Sequence, residues 1–363
     1  MKDFKNHESR VLDEIIERLL AQMKYDRKER GRFVYFTQDH PGDEKIVSIW
    51  ALKQGQKNIM ETQMKLKEFP EVKIKINFIE PKFFVDVVED IVDVPFWQIS
   101  TVVRLLSNCK PIYDPEGLIT YLCERIKDVS WKPETIFLKV QSSEGFLHMA
   151  RRRIMEDMLA DAFLWIVKAG EEAICTRLMR KGTFNIITAE LLLDSLRVEA
   201  ALHDFYVKEL LGIDNFTPEK LKDALNELEK LGKKLYYANE RTKRKTWILS
   251  AFVSINECDR RVRQLFAAVG KKGVDSEFLQ RIYETAIGEL WQAVFLLAQN
   301  PMGMTKLDPW LVGFFWKWFI LNKTEKDAQR LIRLIHALNI NETHKLGFEG
   351  ELAKWREGVP LHP

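Results

Sequence analysis

The 363-residue chain is predicted to be an α+β protein, with a small mixed-sheet domain at residues 1–130 and a larger all-helical bundle at residues 131–363. Two patterns lead to this prediction. In the first third, apolar and polar residues alternate with period two, most clearly over 72–78, as in a half-buried strand. Beyond residue 145 the apolar residues recur at helical spacing, and Gly, Pro and Asn stand at the breaks. Two domains suit this length, at ~100–200 residues each.

The composition is that of a globular protein, with 46% hydrophobic and 30% charged residues, which excludes a disordered chain. The net charge is only +3, so any nucleic-acid binding must come from local clusters of basic residues. No two of the four cysteines form a C-x-x-C pair, which excludes a zinc ribbon. The polar N-terminal segment lacks the apolar core of a signal peptide, and we expect a cytoplasmic protein. Its Lys and Glu content is compatible with a thermophilic source.

The first domain is predicted to contain a helix, a hairpin, a short helix or irregular crossover, two further strands and a helix. Ser9 is suited to cap the first helix, and Gly31 to end it. The turn of the hairpin, residues 38–44, is rich in Asp, Pro and Gly. The elements are placed in this order at residues 9–30, 32–53, 57–69, 71–79, 83–88 and 96–106.

The second domain is predicted to be a bundle of antiparallel helices, because only two to six residues separate most of them. The helices are placed at 146–169, 171–181, 185–211, 217–238, 242–269, 275–299, 307–322 and 324–338. The most apolar stretch, 310–321, is shorter than the ~20 residues of a membrane span. A buried helix is the first interpretation of this stretch, and its Trp and Phe content leaves a partner interface open.

The order of elements in the first domain, followed by the phrase Pro111-Ile-Tyr-Asp-Pro-Glu-Gly117, resembles the minimal nucleotidyltransferase superfamily, the polymerase-β-like fold. Residues 177–183, which precede a long helix, resemble the helical half that often follows the catalytic domain in that superfamily. The resemblance covers residues 9–211. It implies a nucleotide-binding domain on a helical substrate domain, with a nucleotide or RNA bound between them.

The chain departs from that family at the metal site. Active members carry Gly-Ser after the first strand, an Asp-x-Asp pair on the second and a third carboxylate on a later strand. Hard carboxylate oxygens are needed there to hold two divalent cations, such as Mg²⁺, on the triphosphate. The second strand has Ser48 and Trp50 at the pair positions, and Glu80 and Asp86 are candidates for the third carboxylate.

Two explanations of this departure stay open. In one, Asp39 and Asp43 converge across their turn and hold Mg²⁺ with Asp86, although both are also ordinary turn formers. In the other, which we favour, the protein is a degenerate pseudoenzyme that keeps the fold and has lost the metal site.

The densest basic cluster lies in the helical half, where cations alternate with aromatic residues. Cations contact phosphates, and Tyr or Trp rings stack on bases, so the cluster predicts a nucleotide or RNA surface. The ordinary alternative is a solvated loop flanked by core aromatics. The predicted binding residues are Lys233, Lys234, Arg241, Lys243, Arg244 and Lys245.

Three other features give weaker indications. Arg330 and His336 fit the loose R-x(4–6)-H pattern of helical ribonuclease toxins, but ~600° of helix puts them on faces ~120° apart. Arginines at 151–153 and 260–263 form two further basic clusters. A non-catalytic alternative for the whole chain is a helical interaction protein, which pairs with another chain or a second copy through residues 310–318.

Overall fold

The computed structural model describes most of the chain, including nearly all of residues 72–358. The described residues are 32–37, 45–52, 60–65, 72–89, 94, 96–107, 109–114, 116–184, 186, 188–238, 242–268, 274–298, 308–320 and 323–358. The predicted first helix and the turn at 38–44 lie outside them. The chain divides into two compact units, Met1–Ser130 and Trp131–Pro363.

The first unit is built on a mixed five-stranded sheet with the order β3-β4-β2-β1-β5. Strands β1 and β2 form an antiparallel hairpin, β4 runs parallel to β2, and β3 and β5 pair antiparallel at the two edges. The strands are β1 Arg32–Thr37, β2 Lys45–Leu52, β3 Met60–Lys65, β4 Val72–Ile79 and β5 Lys110–Tyr113.

Three helices accompany this sheet: α1 Lys82–Val88, α2 Phe96–Ser107 and α3 Leu118–Arg125. On the sheet, Ile49 pairs with Ile76, and both are buried, as the alternation in the sequence predicts. On the opposite face, the Trp50 ring meets Phe84 of α1 edge to face, with 6.5 Å between centroids. A small mixed-sheet domain is therefore confirmed for this part of the chain.

Three predictions about the first unit were wrong. Residues 83–88 form helix α1 and no strand, because Phe84, Val87 and Val88 are buried at helical spacing. Residues 57–69 contain an edge strand, β3, in place of a helix or crossover. The segment before the 113–117 turn is strand β5, which pairs with β1.

The second unit contains helices throughout its described residues. They are α4 Pro133–Met155, α5 Leu159–Arg180, α6 Ala189–Leu196, α7 Ala200–Asp204 with a π-helical turn Phe205–Leu210, α8 Pro218–Ala238, α9 Thr242–Ala268, α10 Ser276–Ala298, α11 Pro309–Trp318, α12 Glu325–Leu346 and α13 Glu349–Gly358. Helix α5 buries 17 of its 22 residues, so it is the central helix of the unit. Helices α4 and α12 pack on α5, and α9 pairs with α10.

Several predicted helix boundaries in this unit were wrong. The break expected at Gly170 is absent, because this glycine lies inside α5, where a methyl group of Leu210 occupies the space that a Cβ would fill. The break falls instead at residues 156–158, where Asp157 takes a positive φ of 57°. Helix α4 starts earlier than expected, at Pro133, and α13 was not predicted.

None of the helices in the described part of the chain is long and apolar enough to cross a membrane.

Candidate functional site

Strands β2 and β4 are neighbours in the sheet, and β2 carries Ser48 and Trp50, where the resemblance described above leads to the expectation of an Asp-x-Asp pair. The register pairs Ser48 with Lys75 and Trp50 with Asn77. Asn77 is only 8% exposed and Lys75 is half-buried. These four positions offer one ammonium, one amide and no carboxylate, so they do not fit a divalent cation, which prefers carboxylate oxygens.

The edge strand β3 extends this polar face of the sheet. Its register with β4 pairs Gln63, which is exposed, with Lys75, and pairs Lys65 with Lys73. Glu61 of β3 is paired in register with Asn77. It is two strands away from β2, at ~4.8 Å per strand.

The predicted catalytic carboxylates are placed as follows. Asp86 lies in helix α1, not on a strand, and is half-buried. Glu80 directly follows β4, and its backbone carbonyl accepts a hydrogen bond from the Phe83 amide. Asp39 and Asp43 lie outside the described residues. Within the described ranges there is no group of three or more His, Cys, Asp or Glu side chains that could hold a metal ion.

The phrase at 111–117 has a clear structural role. One carboxylate oxygen of Asp114 accepts two hydrogen bonds from Thr120, one from the backbone N–H at 2.8 Å and one from the side-chain hydroxyl at 3.0 Å. These bonds hold the 113–117 turn against the first turn of α3. Gly117 takes a left-handed φ of 68° directly before the helix, a conformation that favours glycine. The motif therefore fixes the angle between β5 and α3.

The basic cluster at 233–245 is divided between the surface and the interior. Lys233 is exposed and pairs with Glu229 one turn earlier, at 2.5 Å. Arg244 is 8% exposed and donates to the Leu297 carbonyl at 2.6 Å, so it holds α9 to the end of α10 and is not part of an exposed cation surface. Arg241 lies outside the described residues. Lys243 lies in the first turn of α9.

Cations and aromatic rings do alternate on the exposed part of this cluster. The Lys245 ammonium lies 5.3 Å from the centroid of the Tyr236 ring, and Tyr236 contacts Tyr237 edge to face. Tyr237 is 83% exposed, so one face of its ring is open to a ligand. Lys234 lies over the Trp310 ring at 3.4 Å, which places that cation against α11.

Arg330 and His336 do not form a joint site. The Arg330 guanidinium pairs with Glu209 of the π-helical turn. His336 Nδ1 lies 2.9 Å from the carboxylate of Glu144, a buried group of α4 that also binds Arg356. The two side chains are held by carboxylates on different helices, as the ~120° between their faces indicates.

The other arginine clusters are also occupied by carboxylates. Arg153 is buried and, like Arg152, contacts Glu156. Arg260 and Arg261 both bind Glu257. Arg263 forms an ion pair with Asp259 at 2.5 Å, one turn earlier.

The helical unit contains a cleft of about 630 Å³, which the sequence did not reveal. Its wall includes three carboxylates, two cations and several aromatic rings. The charged groups, one hydroxyl group and the principal rings are Lys168, Glu171, Glu257, Arg260, Glu289, Ser254, Tyr206, Trp291 and Phe295. Gly288 allows α10 to approach α6 here, because a Cβ at this position would lie 2.9 Å from that of Ala189.

Glu289 is the unusual group of this cleft. Burial raises its pKa to about 7, and the nearby carboxylates of Glu257 and Glu190 add to the rise, although Ser254 donates to it and Arg261 lies near. None of the ion pairs formed within the described ranges includes Glu289. The cleft can therefore accept an N–H or cationic group, and its surplus of carboxylates disfavours a phosphate.

Known proteins give little further information. No model of a known protein family matches the chain, and no curated protein matches it. Among solved structures, a nucleotidyltransferase-like protein from Exiguobacterium sibiricum 255-15 aligns with 53% of this chain and 65% of its own length. The TM-score is 0.39 and the sequence identity 10%. These values do not establish a common fold.

Proposed function

We propose that this chain is a nucleotidyltransferase-like protein that binds a nucleotide or RNA and does not transfer a nucleotide. The proposal is supported by the β1–β2 hairpin, by a strand parallel to β2 in the same mixed sheet, and by the helical unit that follows. The observation that carries it is the register of β2 with β4, which sets Lys75 and Asn77 beside Ser48 and Trp50.

The chemistry of these four positions explains the proposed loss of activity. Metal-assisted nucleotidyl transfer needs anionic ligands that hold cations on the triphosphate and align the attacking group. Lys75 is the register partner of Ser48, so this position of the sheet carries a cationic residue, which disfavours a divalent cation and favours phosphate oxygens. The lysine thus supplies part of the positive charge that metal ions would bring, but it does not activate an attacking hydroxyl.

For single-stranded RNA, the helical unit offers a surface of its own. Exposed Tyr237 offers a ring on which a base can stack, and Lys233 and Lys245 lie on the same segment as phosphate partners. Arg244 is excluded from this surface by its burial. A mononucleotide would not need these residues, so the two ligand classes can be separated by mutation.

Binding measurements with a fluorescent nucleoside triphosphate and a short single-stranded RNA test the proposal. Lys75→Gln is expected to weaken the nucleotide by about tenfold, ~1.4 kcal/mol, because one charge–phosphate contact is lost. The matched control is Lys82→Gln, at an exposed lysine of α1, which is expected to bind as the wild type does. Tyr237→Ala is expected to weaken RNA alone.

Two outcomes would count against the proposal. If neither ligand binds at any concentration that the assay reaches, the nucleotide-binding function is wrong. If binding requires Mg²⁺ and is lost in Asp86→Asn, the alternative in which Asp39, Asp43 and Asp86 hold the metal is favoured.

A second candidate function is self-association through helix α11. Trp310 and Trp316 are 41% and 39% exposed on this helix, and the space beside Gly313 between them is open. The nearby Lys317 is already paired with Glu227 at 2.6 Å, so the face offers rings more than free charge. Light scattering over a wide concentration range would reveal a dimer that Trp316→Ala dissociates, and a strict monomer would exclude this function.

A further inference from the structure

Two cysteines that the sequence does not associate have their sulfur atoms in contact. The Sγ atoms of Cys109 and Cys123 lie 2.7 Å apart, although the residues are 14 positions apart in the chain. Cys109 directly precedes β5, Cys123 belongs to α3, and both are half-buried free thiols. A disulfide bond would bring the sulfurs to ~2.0 Å, so a movement of less than ~1 Å would join them.

The fold holds this contact in place. Asp114 ties the turn after β5 to the start of α3 by its two hydrogen bonds to Thr120. Within α3, Ile119 and Leu122 are buried, at 1% and 0% exposure, and they anchor the helix on the core. The two sulfurs therefore face each other because two fixed elements meet at this point.

The pair is also chemically asymmetric. The hydrogen bond from Cys109 lowers the pKa of Cys123, and the charge of Lys127, one helical turn later, lowers it further against the opposing effects of burial and Asp114. The same hydrogen bond, with burial, raises the pKa of Cys109, which keeps its proton. Cys123 is thus the better nucleophile, since the thiolate is the reactive form.

The other two cysteines differ in both respects. Cys175 and Cys258 are fully buried in the helical unit, at 4% and 0% exposure, and burial raises the pKa of each thiol. Buried thiols with a raised pKa react slowly, because the thiolate is the reactive form and reagents do not reach it. Cys175 and Cys258 therefore serve as internal controls.

We propose that Cys109 and Cys123 are a modification site, at which a hydroperoxide oxidises the pair to a reversible intramolecular disulfide. The Cys123 thiolate attacks one peroxide oxygen, the O–O bond breaks, and the other oxygen leaves as an alcohol, or as water from hydrogen peroxide. The sulfenic acid that forms on Cys123 is then attacked by Cys109, the S–S bond forms, the S–O bond breaks, and a second water leaves with the Cys109 proton. The two thiols lose two electrons, which reduce one hydroperoxide.

Mass spectrometry of the reduced full chain after treatment with hydrogen peroxide tests this proposal. Trypsin does not cleave before proline, so the Lys110–Pro111 bond survives and one peptide, residues 105–125, carries both cysteines. After the thiols are alkylated in denaturant, this peptide is expected to be unalkylated and lighter by two hydrogen atoms than the reduced form. The free thiols of the protein are expected to fall from four to two and to return with dithiothreitol.

Single variants separate the two roles. Cys109→Ser is expected to leave a sulfenic acid on Cys123, which dimedone traps, and Cys123→Ser is expected to give no dimedone adduct on Cys109. Cys175→Ser is the matched control and is expected to lose two of its three thiols as the wild type loses two of four. Because the wild-type peptide reports the bond directly, the test survives even if a variant folds poorly.

Three results would overturn the proposal. One is a wild-type protein that keeps four thiols under peroxide. Another is oxidation of Cys109 and Cys123 no faster than that of Cys175 and Cys258. The third is a disulfide that joins two chains in place of residues 109 and 123 of one chain.

Discussion

Replacement of Glu289 by glutamine is expected to stabilise the protein at alkaline pH and to leave its stability unchanged in weak acid. The pKa of this carboxyl is raised from 4.5 to about 7 in the folded protein, so ionisation above pH 7 disfavours the folded state. The penalty is absent below about pH 4.5, grows between pH 4.5 and 7, and is constant above. A glutamine is neutral at every pH and can still accept from Ser254.

The size of the effect follows from the shift. A rise of about 2.5 pH units at ~1.36 kcal/mol each gives about 3 kcal/mol at pH 8. Urea unfolding of the full chain at several pH values, with wild type and variant compared at each, is the appropriate assay. The difference in the free energy of unfolding is expected to rise from near zero at about pH 4 to at most about 3 kcal/mol at about pH 8.

A control on the same helix isolates the environment of Glu289. Glu277 is also on α10, but its side chain is 77% exposed, so Glu277→Gln is expected to change stability little and equally at every pH. A difference for Glu289→Gln that does not depend on pH, or a variant less stable than wild type at pH 8, would refute the reasoning.

Two further predictions concern packing and buried charge in the helical unit. Gly288→Ala is expected to destabilise by up to about 2 kcal/mol, because overpacking against Ala189 costs about 1–3 kcal/mol and the better helix propensity of alanine returns at most about 1 kcal/mol. Gly313→Ala, with open space around it, is expected to stabilise, and equal effects of the two substitutions would contradict the packing argument. Glu342→Gln is expected to cost about 3–5 kcal/mol, because it leaves Arg180 beside a neutral group at a fully buried site. Thermal or urea unfolding measures both, and a loss below 1 kcal/mol for Glu342→Gln would be inconsistent with a buried ion pair.

The parts of the fold that the sequence predicted are those with a strong local period. Strand β4 alternates cleanly, and helix α12 begins with a capping box between Thr324 and Asp327, which the sequence indicated. Residues 83–88 were misjudged because a short apolar run suits a strand or a helix, and only the tertiary core decides between them. Gly170 was taken for a helix end, whereas close packing of Leu210 explains it.

The candidate sites were less accessible to sequence reasoning, because they depend on contacts between distant residues. Nothing in the spacing of Cys109 and Cys123 indicates that β5 and α3 bring them together. The cleft around Glu289 is assembled from several helices, and its only local signal is a single carboxylate in the mostly apolar second half of α10, residues 285–298. Arg244 looked like its basic neighbours, although its position in α9 turns it inward.

Calorimetric titration of a nucleoside triphosphate into the full chain, first with Mg²⁺ and then with EDTA, tests most directly whether β2 has lost its metal site. If Lys75 supplies the charge beside Ser48, the dissociation constant should be nearly the same in both buffers and should increase in Lys75→Gln. A triphosphate that binds only when Mg²⁺ is present, and equally well to Lys75→Gln, would contradict this account.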